Sequence, residues 1–161
     1  MKDMKQGNGA QVQVLVAAPP HVVYDVVTDV RRMGEWSPET TGCVWLDGAT
    51  GPAVGARFKG SNRRGVLRWS TKPTVVVADS GREFAFEVNG DVRWTYRFDA
   101  DGSGTRLTES FEMLHDLQWY YAFVERWLMR VNDRRADLER AMTVTLERIK
   151  QVVESETSSA T

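Results

Sequence analysis

QVQVLVAAPPHVVYDVVTDV, residues 11–30, changes its periodicity halfway along. In the first half Val12, Val14 and Val16 alternate with Gln11, Gln13 and Leu15, the two-residue period of a strand. Pro19-Pro20 stop that strand, since proline donates no hydrogen bond to a sheet ladder. Proline is, however, tolerated in the first turn of a helix, so residues 21–30 are predicted to turn helical at once. Val22, Val23, Val26 and Val27 form the apolar face of that helix. A second short helix is expected around Val30–Trp36 and must end at Ser37-Pro38, because the residue before proline is pushed out of the helical region.

Downstream, strand-like pieces follow one another: GCVWLDG, ARFKGSN, GVLRWSTKPTVVVADS, REFAFEV, VRWTYRFDA and TRLTESFEML. Gly, Asn or Asp marks nearly every junction, which favours hairpins and an antiparallel meander. Pro73 inside the longest piece predicts a bulge or an edge. From about Leu117 to Glu154 the period becomes helical. One strand, two short helices, six more strands and a long C-terminal helix make an α+β chain. Its 161 residues suit one domain, 11–154, flanked by polar segments 1–10 and 155–161 that are expected to fray.

Composition narrows the function classes. The chain is 42% hydrophobic and 27% charged with a formal net charge of −1, so no global field recruits nucleic acid or membrane. No apolar run reaches the roughly 18 residues of a membrane span, and no signal-type apolar region follows the charged start, so a cytoplasmic protein without integral membrane association is expected. Cys43 is the single cysteine, and His21 and His115 form no metal-spaced cluster with it. No phosphate-binding glycine loop is present, and neither a metal nor a cofactor is expected. DADGSG, 99–104, has alternating oxygen ligands but sits between strands and reads as a hairpin turn. Residues 57–72 carry Arg57, Lys59, Arg63, Arg64, Arg68 and Lys72 without an acid. They could hold an anion or nucleic acid, but the alternation about Phe58 favours a solvated strand face.

The sheet concentrates large rings on one face. Trp94, Tyr96 and Phe98 alternate with Arg93, Thr95 and Arg97; Phe84, Phe86 and Val88 share one side of their strand, as Leu107, Glu109, Phe111 and Met113 do of theirs, and together they form that face. Such rings either fill a solid core or line a cavity. Tyr and Trp carry polar groups that need partners when buried. Glu109 is the oddest residue of the set, because a carboxylate on an apolar face is costly unless paired. On the C-terminal helix Val131, Leu138, Met142, Leu146, Ile149 and Val153 form one stripe, with Arg135 inside it and Arg134 at its edge. Either arginine could snorkel to solvent, pair with Glu109, or meet a ligand carboxylate or enolate. Upstream, QWYYAFVERWLMRV spreads its rings over an arc of roughly 200°, twice the usual stripe. A single sheet cannot cover that arc, so a lid, a homodimer partner or bound lipid is expected to meet it.

VQVLVAAPPHVVYDVVTDVRRMGEWSPE resembles the opening of the START-like, or SRPBCC, superfamily, in which a strand ends in a small-Ala-Pro segment and the following helices finish in a Trp-Ser-Pro turn. The resemblance continues in VGARFKG, REFAFEV, WTYRFDADGSGTRLTES and DLERAMTVTLERIKQVVE. It spans roughly residues 11–154 and is nearest to the polyketide cyclase/dehydrase branch. It implies a helix-grip fold: a seven-stranded curved antiparallel sheet around the long C-terminal helix, with an apolar cavity between. The ligand-lining candidates are then Trp36, Phe58, Trp69, Phe84, Phe86, Trp94, Tyr96, Glu109, Phe111, Trp127, Val131, Arg134 and Arg135. The expected function is binding of a small hydrophobic or amphipathic molecule, such as a lipid, polyketide or aromatic metabolite. Two alternatives stand beside it. One is a cyclase or dehydratase using Tyr96, Glu109 and Arg135 in acid–base chemistry; the other is an interaction protein using the aromatic segment 119–128.

Overall fold

The computed structural model describes residues 6–116 and 134–160. Its elements run β1 (Gly9–Val16), α1 (Pro20–Val27), a 3₁₀ helix (Val30–Glu35), β2 (Thr40–Trp45), β3 (Phe58–Arg64), β4 (Leu67–Thr71), β5 (Thr74–Asp79), β6 (Glu83–Val88), β7 (Val92–Asp101), β8 (Gly104–Met113) and α2 (Arg134–Ser159). Strand order is β1-β8-β7-β6-β5 in one sheet and β2-β3-β4 in the other, every pairing antiparallel.

The strand count is eight where the sequence suggested seven, and Pro73 is the cause. It lies between β4 and β5 and splits the stretch that reads as one long strand. With no N–H to give, it cannot continue the ladder. Its carbonyl still accepts from the Phe58 N–H at 3.2 Å, and Arg57 bridges to Thr74. The two sheets are thereby joined at a corner, and that corner lets the sheet wrap around α2.

The opening segment folds as its two periods dictate. Pro19 caps α1 in the extended conformation with Pro20 in the first turn, and Val23, Tyr24 and Val27 are its buried residues. Thr28 closes the helix, its hydroxyl donating to the Tyr24 carbonyl at 2.8 Å. The second helix is a 3₁₀ turn that ends before Trp36 and Ser37-Pro38. It lies so close to β2 that a Cβ on Gly34 would stand 2.5 Å from the Thr41 carbonyl oxygen.

On α2, Leu138, Met142, Leu146, Ile149 and Val153 are all buried. Each such side chain contributes about 1.5–3 kcal/mol relative to exposure. The distal half of the helix is also fastened to β1 through polar contacts. Lys150 donates to the Leu15 carbonyl at 2.7 Å, and Glu154 accepts from the Ala17 N–H at 3.0 Å. Arg32 of the 3₁₀ helix pairs with Glu156. The helix therefore continues to Ser159, through residues expected to fray.

Two apolar cores result. The larger gathers Val16, Val23, Trp36, Phe84, Leu107 and Ile149, and the smaller holds Phe111, Met113, Leu138 and Met142.

Candidate functional site

The pairing register builds the site. Directly opposed residues of antiparallel strands share a face. Phe84, Tyr96, Glu109 and Val12 thus make one row across β6, β7, β8 and β1. Phe86, Trp94, Phe111 and Ala10 make the neighbouring row. Tyr96 and Glu109 from the first row and Phe86, Trp94 and Phe111 from the second line a cavity of about 260 Å³ bordered by the proximal part of α2. Its apolar wall includes Phe58, Phe86, Trp94 and Phe111. Trp94 stacks obliquely on Phe111 at 5.6 Å, and Phe58 meets Phe86 edge-on at 5.3 Å. Asn62, Trp69 and Thr71 close the side formed by β3 and β4, and Met142 and Thr145 reach in from α2.

The polar centre of the cavity is a pair on facing strands. The Tyr96 hydroxyl donates to Glu109 Oε1 at 2.9 Å. Both residues are buried, with Glu109 only 3% exposed. Glu109 Oε2 is buried too and has no hydrogen-bond partner among the described residues. Burial raises the Glu109 carboxyl from 4.5 to about 8, and the Tyr96 hydrogen bond offsets part of that rise. Tyr96 itself is pushed well above 10, first by burial and then by its acidic neighbour. At neutral pH the pair is therefore a neutral carboxylic acid and a neutral phenol. A protonated Glu109 presents an O–H donor to whatever occupies the cavity.

Cys43 also lines the cavity, with its thiol 3.8 Å from the Met33 sulfur. Burial lifts that thiol to about 11, so it carries almost no thiolate at neutral pH and is a poor nucleophile.

Seven of the sequence candidates meet at this cavity: Phe58, Trp69, Phe86, Trp94, Tyr96, Glu109 and Phe111. Three others stand elsewhere. Trp36 is 1% exposed within the larger core and does not line the cavity. Phe84, at the β6 end of Tyr96's row, packs into the same core. Arg135 points to solvent, its guanidinium donating to Glu139 Oε1 at 3.2 Å one helical turn on, so it neither pairs with Glu109 nor reaches the cavity. Trp127, Val131, the side chain of Arg134 and the aromatic segment 118–131 lie outside the described residues. Asn62 and Thr145 were not among the candidates. The alternation Phe58-Gly60-Asn62 along β3 was the available signal for Asn62, and the α2 stripe adjoining Met142 was the signal for Thr145. DADGSG is the turn between β7 and β8, with Asp101 paired to Gly104 and Gly102 at φ +59.

Among the described residues, no helix is long and apolar enough to cross a membrane. No curated protein matches the sequence. Solved structures do. The polyketide-cyclase-like protein Cgl2372 of Corynebacterium glutamicum is 33% identical over 92% of this chain and 93% of its own, with a TM-score of 0.64. The KanY protein, 19% identical, covers 92% of this chain and 98% of its own at a TM-score of 0.68. Major latex-like protein 151 of Panax ginseng, 15% identical, covers 89% and 95% at 0.67. The last two show the fold alone. Residues 9–154 match the family described as polyketide cyclase / dehydrase and lipid transport. With strand order, gripped helix and sequence in agreement, the chain belongs to that family, within the START-like superfamily.

Proposed function

We propose that this protein binds a small hydrophobic or amphipathic molecule in the cavity between sheet and α2. Its apolar body would lie on the rings of Phe58, Phe86, Trp94 and Phe111, and its polar end would meet Glu109. The observation that carries this reading is Glu109 Oε2, a buried polar atom at the cavity wall without a partner among the described residues. Leaving such an atom unpaired costs about 1–3 kcal/mol, and a ligand carbonyl or hydroxyl accepting from the protonated acid removes that cost. Apolar contact adds roughly 25 cal/mol per Å² buried before ordering costs. A cavity of about 260 Å³ lies just below the usual ligand range, so a compact molecule fits better than a long-chain lipid.

Native mass spectrometry of protein purified without organic solvent, followed by denaturation and analysis of what is released, tests this directly. A discrete co-purified mass that is lost in Trp94→Ala, with the melting temperature little changed, is the expected result. Retention of that mass by the variant would place the ligand elsewhere.

A second reading is favoured by the ionisation of Glu109 alone. A carboxyl titrating near 8 beside a phenol suits general acid–base catalysis at neutral pH, as in a cyclase or dehydratase step. On a genuine substrate, turnover would then vanish in Glu109→Gln while ligand binding persisted. Full activity in that variant would leave Glu109 a binding group only.

A further inference from the structure

The hairpin of β3 and β4 has two faces of opposite character. Its inner face, with Gly60, Asn62, Trp69 and Thr71, lines the cavity. Its outer face presents Lys59, Ser61 and Arg63 from β3, and Arg68 and Ser70 from β4 followed by Lys72, all exposed. The register sets Arg63 directly opposite Arg68. Like charges in that position oppose strand pairing. Neighbouring acids do not relieve them: Arg57 reaches Asp47 at 3.5 Å, and Arg64 turns aside to Glu39 and Asp137. Lys59, Arg63, Arg68 and Lys72 make no ion pair with any described residue. In a chain of net charge −1 this is a local basic face.

The same face carries bare aliphatic groups. The turn between the strands is Gly65-Val66, with Gly65 at φ +58 supplying the positive φ that a two-residue hairpin needs at its first position. Val66 is 96% exposed at the tip. Val44 of β2, paired with Lys59 and thus on the outer face, is 57% exposed.

We propose that this outer face docks on an anionic lipid bilayer, with Val66 entering the interface and Lys59, Arg63, Arg68 and Lys72 meeting the headgroups. Cations around an aliphatic tip are the combination that an interfacial site rewards, since the charges find anionic lipid while the apolar group leaves water. A nucleic-acid backbone would use the cations and leave Val66 without a role. Docking in this sense sets the cavity wall formed by Trp69 and Asn62 against the membrane surface. It does not depend on what the cavity holds.

Co-sedimentation of the full chain with vesicles tests the proposal, using phosphatidylcholine alone and phosphatidylcholine with about one third phosphatidylserine. Pelleting with the anionic vesicles only, weakened on going from low to physiological salt, is expected. Each cation near such a surface is worth about fivefold in affinity, so Arg63→Glu with Arg68→Glu should weaken binding by more than about tenfold. Val66→Asp should also weaken it severalfold with all four cations in place. Unchanged melting curves establish that the variants fold. Failure to pellet with anionic vesicles at low salt, equal pelleting with neutral ones, or indifference to either variant would overturn the proposal. So would a single-stranded oligonucleotide that strips the protein from vesicles at equimolar charge, which would assign the face to nucleic acid.

Discussion

Glu109 couples stability to pH. Its folded-state carboxyl titrates at about 8 and its ordinary value is 4.5. Below about pH 4.5 both states hold the proton and the residue carries no ionisation penalty. As pH rises from there toward 8 the unfolded chain releases the proton while the folded chain keeps it, so stability falls through that window. Glu109→Gln removes the titration and keeps an oxygen for the Tyr96 hydroxyl. Thermal melts at a series of pH values should show the wild-type protein losing ground to the variant between pH 5 and 8, by on the order of a few kcal/mol at the upper end. Parallel curves would mean that the carboxyl is ionised and paired in the folded protein. The oddity of Glu109 was legible in the sequence, because strand alternation places it among apolar residues. Its partner was not, since only the β7–β8 register decides that Tyr96 stands opposite. Arg135 was misplaced for a related reason: angular counting fixes positions on a helix relative to each other but not the rotation of that helix against the sheet.

Among the elements, the 3₁₀ helix is held close against β2. Gly34 admits the Thr41 carbonyl where a Cβ would clash at 2.5 Å, and backbone on both sides prevents easy relief. Gly34→Ala should therefore cost about 1–3 kcal/mol, read as a lower denaturation midpoint with an unchanged slope. A variant as stable as the parent would show that the helix can slide along β2. The element order could be read from periodicity and from the Pro19-Pro20 and Ser37-Pro38 stops. The division at Pro73 was legible as a disturbance but not as a corner between two sheets, because that depends on Arg57 and Thr74 meeting across a long sequence gap. The extension of α2 to Ser159 was hidden as well. A polar sequence gives no sign that Arg32 will reach across to Glu156.

For the molecule as a whole, α2 has unequal halves. The distal half is buried in the larger core and fastened to β1 by Lys150 and Glu154, while the proximal half borders the cavity with Leu138, Met142 and Thr145. The aromatic sheet face suggested either a solid core or a hollow; the structure contains both, divided along the helix. That division follows from where the rings on β6 to β8 end and the helix stripe continues, a matter of three-dimensional registration that no local window contains. Cys43 turns this arrangement into a clock. It is the chain's single thiol, 7% exposed on the cavity wall and held protonated by its burial, so an alkylating reagent must reach it through the cavity. The labelling rate, followed by intact mass at constant pH, should be slow against a free thiol and slower still when the cavity is filled. Labelling as fast as a free thiol would mean that Cys43 is neither shielded nor held protonated by its surroundings. One sulfur atom on the wall thus reports, by the change in its labelling rate, whether an otherwise silent cavity is occupied.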